Sequence, residues 1–266
     1  MEDKKATFFK IVFGQAEGFV CAVKREPGTR TFEEYFFQYP QDIGALVEFC
    51  NQYSFTHDVY YCPQVFDRRK RQKEHVLTCP SAWSDLDTCP PGELLVEPSI
   101  TIQSSPGRYQ ALWIFEEPID PSEAEDISRR IAYYHSDEGA DRSGWDLTQL
   151  LRVPFTQNHK YVHAGTPTVN ILKTGKIDYT TKDFDKYPQA TGYEFTDIPF
   201  PDEVPNAADV LESYRESLKP QVWMLLNETP EEDWSRALWQ LEMLLSEAGL
   251  SREEIFAVAA ASKCNK

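Results

Sequence analysis

The sequence has no long apolar run, and its first residues do not look like a leader. No stretch approaches the roughly 18 consecutive apolar residues that a membrane-spanning helix needs. The opening MEDKKATFFKIVFG contains only a short, interrupted apolar segment, which is not typical of a secretory signal peptide. Internal repeats and low-complexity tracts are also absent from the sequence. We therefore expect a globular protein of the cytoplasm.

Close pairs of cysteines are missing as well. The chain has 266 residues and six cysteines, and none of the six belongs to a CxxC pair. A disulfide framework is therefore not indicated in a chain of this size, and we expect reduced thiols. Zinc remains an alternative for Cys62, His75, Cys79 and Cys89, although their spacing is irregular for a zinc site.

Basic residues are scarce. The chain has 27 lysines and arginines against 43 acidic residues, which gives a formal net charge of −16. A protein this acidic is not a general polyanion binder, so any contact with nucleic acid must come from a local patch. One basic run, DRRKRQKEH, begins at residue 67, and its simplest interpretation is a solvated turn. Contact with a phosphate backbone is the alternative interpretation of this run.

Apolar periodicity predicts strands and helices in the first two thirds of the chain and helices alone at the end. Residues 7–23 are predicted as strand, turn and strand, DIGALVEFCNQYS as a helix, and DVYYCPQVF as a strand. SITIQSSPGRYQALWIF is predicted as a hairpin, and Asp120-Pro121 as the start of a helix. Prolines and weak periodicity then indicate a linker. We predict an α+β domain of residues 1–185, a linker of residues 186–205 and an all-α domain of residues 206–266.

The predicted all-α domain shows helix boundaries and one apolar stripe. Residues 229–232 read Thr-Pro-Glu-Glu, a helix-start signature, and Ser251 begins a second one. Trp234, Leu238, Leu241 and Leu245 recur at three- and four-residue spacing on the helix between them. Such a stripe is typical of a packed core rather than of a binding surface.

The segment SDLDT places two carboxylates two residues apart. In a strand, Asp85 and Asp87 would lie on the same face, where like charges repel unless a cation lies between them. Hard oxygen ligands with open coordination positions suit Mg²⁺ or Mn²⁺. A third acid would complete such a site, and Asp141 and Asp146 are the two candidates.

Two further segments carry groups that suit phosphates. The predicted turn SSPGRYQ supplies hydroxyls, a glycine that permits close backbone approach, and one arginine. The segment RVPFTQNHK supplies charged and polar donors within nine residues. The candidate nucleotide-binding residues are Ser104, Ser105, Arg108, Gln110, Arg152, Thr156, Asn158 and Lys160.

Together and in this order, the three segments resemble the archaeo-eukaryotic primase superfamily, in particular the primase-polymerases of phages, plasmids and other mobile elements. Asp85 and Asp87 match the DxD of the first motif. SSPGRYQ matches the second, with Gln110 at the position where many relatives have histidine and where plasmid-type members have SPxxYQ. Asp141 and RVPFTQNHK match the third, with Phe155 where relatives usually have glycine. The resemblance covers about residues 50–175.

The resemblance implies a fold, a reaction and partners. It implies an RRM-like antiparallel sheet with helices, an amino-terminal αβ unit, and a small helical domain like the one that follows such cores. Asp85, Asp87 and Asp141 would hold two Mg²⁺ or Mn²⁺ ions as the catalytic acids. The protein would join nucleoside triphosphates into primers on single-stranded DNA and extend them. A helicase, in the same chain or another, is a further expected partner.

Three rival interpretations start from the same acids or from the resemblance itself. Phosphohydrolases with a DxDxT motif use the first aspartate as nucleophile, but they need a strongly apolar strand before it. A sugar-nucleotide glycosyltransferase would also use DxD, yet it would leave RVPFTQNHK unexplained. A non-catalytic replication-initiation protein would bind DNA without making primers.

Overall fold

The computed structural model describes residues 3–160, 165–190, 204–230 and 234–265. The chain divides into two compact units, Met1–Gly192 and Tyr193–Lys266. Within the described ranges, no helix is both long and apolar enough to cross a membrane.

The first unit is built on one eight-stranded sheet with the order β2-β1-β3-β4-β6-β5-β8, and β7 pairs with β3 beside this path. All pairs of neighbouring strands are antiparallel. The strands are β1 Gly18–Arg25, β2 Glu33–Tyr39, β3 Asp58–Phe66, β4 Val76–Asp87, β5 Ile100–Ser105, β6 Arg108–Ile119, β7 Leu151–Arg152 and β8 Asn170–Thr174. The α+β prediction is therefore confirmed.

The two middle strands of the sheet pair at one end only. Strands β3 and β4 are in register at Val65–Thr78 and Phe66–Val76, next to the loop that joins them. Beyond that point β4 pairs with β6, whereas β3 pairs with β1 and, at Tyr60 and Tyr61, with the short strand β7. The start of β3 and the end of β4 therefore stand at the open end of a fork in the sheet.

Three helices pack on this sheet: α1 Lys4–Phe13, α2 Ile43–Tyr53 and α3 Pro121–Tyr134. The α2 and α3 predictions are confirmed, and Asp120 caps α3 by accepting from the Ser122 N–H at 2.8 Å. The hairpin prediction is also confirmed, because β5 and β6 are joined by Pro106 and Gly107 alone.

The strand predicted at the start of residues 7–23 is wrong, because this segment forms α1. Its buried side chains Phe8, Phe9, Val12 and Phe13 recur at helical spacing, and this periodicity outweighs the strand preference of aromatic and β-branched residues. Phe8 and Phe9 pack against the ring of Tyr61 at centroid distances of 5.4 and 5.8 Å.

The second unit consists of the helices α4 Ala207–Ser213, α5 Pro220–Asn227, α6 Trp234–Glu247 and α7 Arg252–Ala260. Leu241 and Leu245 of the predicted stripe are fully buried in its core, with Val222 and Val258. Ser251 and Glu254 form the capping box at the start of α7.

Parts of two predictions lie outside the described residues. These are residues 191–203 of the predicted linker and residues 231–233 near the other helix-start signature. Tyr187, at the start of the predicted linker, is buried in the core of the first unit.

Candidate active site

A polar cavity of about 200 Å³ lies at the open end of the fork. Strand β4 contributes acids to its wall, the β5–β6 hairpin contributes hydroxyls and an amide, and the segment after β7 contributes donors. The wall residues are Arg25, Tyr60, Asp85, Asp87, Ser104, Ser105, Arg108, Gln110, Leu150, Arg152, Asn158 and Lys160. The structure therefore brings residues of all three sequence segments to one cavity.

Asp85 and Asp87 stand at the carboxyl end of β4. Asp87 has a left-handed φ of +45°, and its N–H points to the Asp85 carboxylate at 3.4 Å. The Asp141 N–H donates to the Asp85 carbonyl at 2.9 Å, which places Asp141 beside this pair. The Asp146 carboxylate instead accepts from the Thr148 N–H at 2.7 Å. Of the two candidates for a third acid, Asp141 is the one held against Asp85.

The acids repel one another. Burial, together with the nearby carboxylates of Asp141 and Asp87, raises the pKa of Asp85 to about 6. A carboxylate with a raised pKa is stabilised in its charged form by any cation that approaches it. A cation on the acid side of the cavity would reduce the repulsion among these carboxylates.

The three carboxylates suit a hard divalent cation in their chemistry, although they do not form a closed cage. Across the described ranges, no three His, Cys, Asp or Glu side chains converge as a ready-made metal site. Arg108 is paired with the Asp87 carboxylate, and Asp141 accepts from the N–H and hydroxyl of Ser143 at 2.9 and 2.7 Å. A bound ion would replace these partners. Carboxylate oxygens are the ligands that such a cation prefers, and an ion beside Asp85 would relieve the repulsion from Asp141 and Asp87 that helps to raise its pKa.

The zinc alternative receives no support from the described residues. Cys62 donates to the Leu147 carbonyl at 3.6 Å, and Cys89 contacts the Pro90 carbonyl at 3.8 Å. His75 instead lies 3.3 Å from the Asp67 carboxylate.

Gln110 on β6 joins the acids to the third segment. Its amide N–H donates to the Asp85 carboxylate. Its carbonyl oxygen accepts from the Arg152 N–H at 3.0 Å. A neutral amide, with one donor end and one acceptor end, makes both bonds at the position where many relatives have histidine.

The segment after β7 holds the cavity together. The Asn158 amide donates to the Ser104 carbonyl at 2.7 Å, which ties this segment to β5. The Thr156 hydroxyl donates to the Val153 carbonyl at 2.7 Å and is buried, so Thr156 lies outside the cavity wall. Phe155 has a φ of +65°, a left-handed conformation in which glycine is least strained.

Arg152 does not extend freely into the cavity. Its guanidinium forms an ion pair with the buried Asp58 at 2.6 Å and lies 4.7 Å from the centroid of the Tyr60 ring. Arg25, at the end of β1, reaches the same Asp58 at 2.9 Å. Sequence reasoning missed Arg25, Asp58 and Tyr60. The one available signal was a carboxylate at the start of the strand DVYYCPQVF, which is buried along its whole length.

The basic run that begins at residue 67 is largely neutralised within the first unit. Arg68 is paired with Asp67, Arg71 with Glu34, and Lys73 with Glu125. These pairs favour the solvated-turn interpretation of this loop.

Comparisons with known proteins agree with this fold. Residues 61–182 match the RepB DNA-primase N-terminal domain family. A comparison with curated protein sequences found no match.

Solved structures with a similar chain path include the archaeo-eukaryotic primase domain of the cyanophage S-2L primase-polymerase. It is 11% identical, its TM-score is 0.52, and the match covers 70% of this chain and 97% of that domain. The catalytic domain of primase RepB′ in complex with initiator DNA is 17% identical over 68% of this chain and 90% of that one, with a TM-score of 0.49. The structure of primase RepB′ is also 17% identical to this chain. The match covers 98% of this chain and 87% of that one, with a TM-score of 0.49.

The family match spans the strands that carry all three sequence segments, and the cyanophage domain shares the fold. Residues 61–182, which are less than half of the chain, therefore match the RepB DNA-primase N-terminal domain family, and the chain has a fold similar to that of the cyanophage primase-polymerase domain.

Proposed function

We propose that the first unit is a nucleotidyltransferase that makes and extends primers on single-stranded DNA during the replication of a mobile element. The observation that carries the proposal is the fork cavity. The carboxylates of Asp85 and Asp87 line one side of this cavity, and hydroxyls, an amide and cationic side chains line the other. That combination suits a triphosphate bound together with divalent ions.

Asp85, Asp87 and Asp141 are the residues that would hold the ions. When bound, two Mg²⁺ or Mn²⁺ ions would activate the attacking hydroxyl and neutralise charge on the triphosphate. Gln110 would orient the Asp85 carboxylate through its amide N–H. In the reaction, the primer 3′-hydroxyl loses its proton to solvent, and its oxygen forms a bond to the α-phosphorus of the nucleotide. The bond between the α-phosphorus and the oxygen that bridges to the β-phosphorus breaks, and pyrophosphate leaves.

The opposite side of the cavity would bind the phosphates. Ser104 and Ser105 lie at a two-residue turn that ends in Gly107 with a φ of +71°, which lets the backbone approach a ligand closely. Arg108 now pairs with Asp87, and both groups gain new partners when a metal-bound triphosphate enters. Lys160 and Arg152 supply positive charge from the third segment.

Primer synthesis on an unlabelled single-stranded template, with labelled nucleotides and Mn²⁺, tests the proposal. We expect Asp87→Ala to abolish synthesis while leaving the melting temperature of the metal-free protein nearly unchanged, because the repelling charge that it removes offsets the loss of a partly exposed ion pair with Arg108. Asp137→Ala, at an exposed acid outside the cavity, is the matched control.

Two outcomes would count against the proposal. If wild-type protein binds DNA but yields no product under any divalent ion, only the non-catalytic initiation role remains. If Asp87→Ala keeps full synthesis, the acids of the fork are not catalytic.

The helical unit is proposed to hold the template or the initiating nucleotide. Removing residues from about 206 onward should then reduce initiation on a bare template more than extension of a ready-made primer. Equal losses in the two assays would contradict this role.

A further inference from the structure

Asp58 is a buried carboxylate that joins two arginines from different strands. It is 1% exposed, and one of its oxygens accepts from the Arg152 guanidinium at 2.6 Å and from the His159 N–H at 2.8 Å. Its other oxygen accepts from Arg25 at 2.9 Å. Both oxygens are therefore engaged, and one negative charge faces two positive ones.

Both arginines line the cavity, and the carboxylate that they share holds them next to each other. The Tyr60 ring lies beside both guanidinium groups, with its centroid 5.6 Å from Arg25 and 4.7 Å from Arg152. Packing against a ring and pairing with a fixed acid restrict the rotamers of both arginines. The cluster presents a net positive charge to the cavity from side chains that are already ordered.

Arg25 carries one donor that the protein does not use. Its Nε–H is buried and has no acceptor among the described residues. A buried donor of a charged group without a partner is costly and uncommon in native proteins. Phe32, which covers Arg25 at 5.4 Å from its ring centroid, is 42% exposed and borders solvent. An anionic oxygen that reached this Nε–H would satisfy the donor.

We propose that Arg25 and Arg152 form a phosphate subsite in the fork, and that Asp58 is the positioning residue that holds the two guanidinium groups together. The identity of the phosphate rests on the proposed function, since it can come from the incoming nucleotide or from a nucleic-acid backbone. Charge-assisted bonds from guanidinium to phosphate are strong and geometrically specific. Arg25 thereby joins the binding residues although no sequence segment indicated it.

Binding of inorganic tripolyphosphate to the full chain, measured by calorimetry with a chelator present, tests the subsite without requiring activity. We expect Arg25→Gln to weaken binding about tenfold or more, which corresponds to loss of one charge-assisted bond. Asp58→Asn should weaken binding similarly. Asp126→Asn, which removes the 3.0 Å ion pair with Arg130 on α3, should leave binding unchanged.

A combined variant separates positioning from simple destabilisation. If Asp58 acts through the arginines, adding Asp58→Asn to Arg25→Gln should cost less than Asp58→Asn costs alone. Should Asp58→Asn fail to fold, Arg25→Gln and its partial rescue by Arg25→Lys carry the test. Unchanged tripolyphosphate and oligonucleotide binding in Arg25→Gln would overturn the subsite.

A parallel titration with a 5′-phosphorylated oligonucleotide identifies the source of the phosphate. A tenfold loss confined to tripolyphosphate points to the nucleotide, and a loss confined to the oligonucleotide points to the strand. Either result supports the subsite. A wild-type protein that binds neither probe would overturn it. A protein that makes no primers, yet loses phosphate binding in Arg25→Gln, would refute the proposed function and leave the subsite standing.

Discussion

Asp85 lies in the wall of the cavity and Asp58, on the neighbouring strand, pairs with two arginines of that wall, yet the pKa values of the two acids are shifted in opposite directions. Burial raises the pKa of Asp85 to about 6, and the carboxylates of Asp141 and Asp87 add to this effect. Burial also acts to raise the pKa of Asp58. There, however, the charge of Arg152 and the bonds from Arg152, Arg25 and His159 outweigh it and lower the pKa.

The contrast shows that burial acts to raise the pKa of both carboxylates, and that the arginine neighbours of Asp58 reverse this effect while the acidic neighbours of Asp85 add to it. Asp58 has satisfied its charge within the protein and contributes to the architecture. Asp85 instead faces two further acids, and under the proposed function it would bind a cation. The division of labour between an acid side and an arginine side therefore follows from which residues the two strands place nearby.

The largest expected difference between the two acids is in the free energy of unfolding when each one is replaced by alanine. Asp58→Ala leaves two arginines without their shared partner and should destabilise the first unit by about 3 kcal/mol. Asp85→Ala removes a repelled charge and should leave the free energy of unfolding unchanged or higher. Urea unfolding of the two metal-free variants measures both. Equal destabilisation by the two changes would remove the contrast.

The pH dependence should differ in sign between the two acids. Because the pKa of Asp85 is raised in the folded state, its protonation favours folding at low pH, and this contribution is lost as the pH rises through about 6. Asp85→Asn should therefore gain about 2 kcal/mol of stability over wild type between pH 4 and pH 7. Asp58 has a lowered pKa, so its contribution is present above the unfolded-state pKa and is lost on acidification. Unfolding curves at several pH values in chelator test this, and a flat difference for Asp85→Asn would contradict it.

Gln110 contacts both the acid side of the cavity, at Asp85, and the arginine side, at Arg152. Changing Gln110 should therefore have a moderate effect on primer extension. Gln110→Leu keeps the volume but removes the donor to Asp85 and the acceptor for the Arg152 N–H. We expect primer extension to fall about tenfold, which corresponds to the loss of one or two hydrogen bonds. Gln110→Glu, which keeps the acceptor and adds a repelling charge near Asp85, should be worse. Activity that matches wild type in both variants would show that the link is dispensable.

The smallest effect, on the affinity for single-stranded DNA, is expected from a change outside the fork cavity, in the loop after β3. Lys70→Gln changes an exposed charge on a loop whose other cations are largely paired with acids. Affinity for single-stranded DNA should change less than about twofold at moderate salt. A large loss, with a shallower salt dependence, would restore the phosphate-contact interpretation of this loop.

The sequence predicted the elements that have strong local signals. The hairpin at Pro106-Gly107, the capped helix after Asp120 and the fully buried strand β3 follow from turn chemistry, capping and apolar runs. Helix α1 was missed because strand preference and helical periodicity conflict in TFFKIVF, and packing on Tyr61 decides between them.

The site was predictable where residues are close in sequence. The spacing of Asp85 and Asp87, taken together with the two other segments, identified one side of the cavity. The opposite side depends on pairs separated by 94 residues, as in Arg152 with Asp58, and by 33 residues, as in Arg25 with Asp58. No local pattern records such pairs, because the fork in the sheet creates them. Phe155 illustrates the same limit, since its left-handed backbone is visible only once the chain is folded.

A single planar amide touches both sides of the fork, and this makes the two sides difficult to engineer separately. A redesign that widens the carboxylate cluster for a larger ion would turn the Gln110 amide with it. The turn would withdraw the acceptor from β7 and loosen the arginine beside it. Variants selected for a different ion preference should therefore also change in their affinity for substrate.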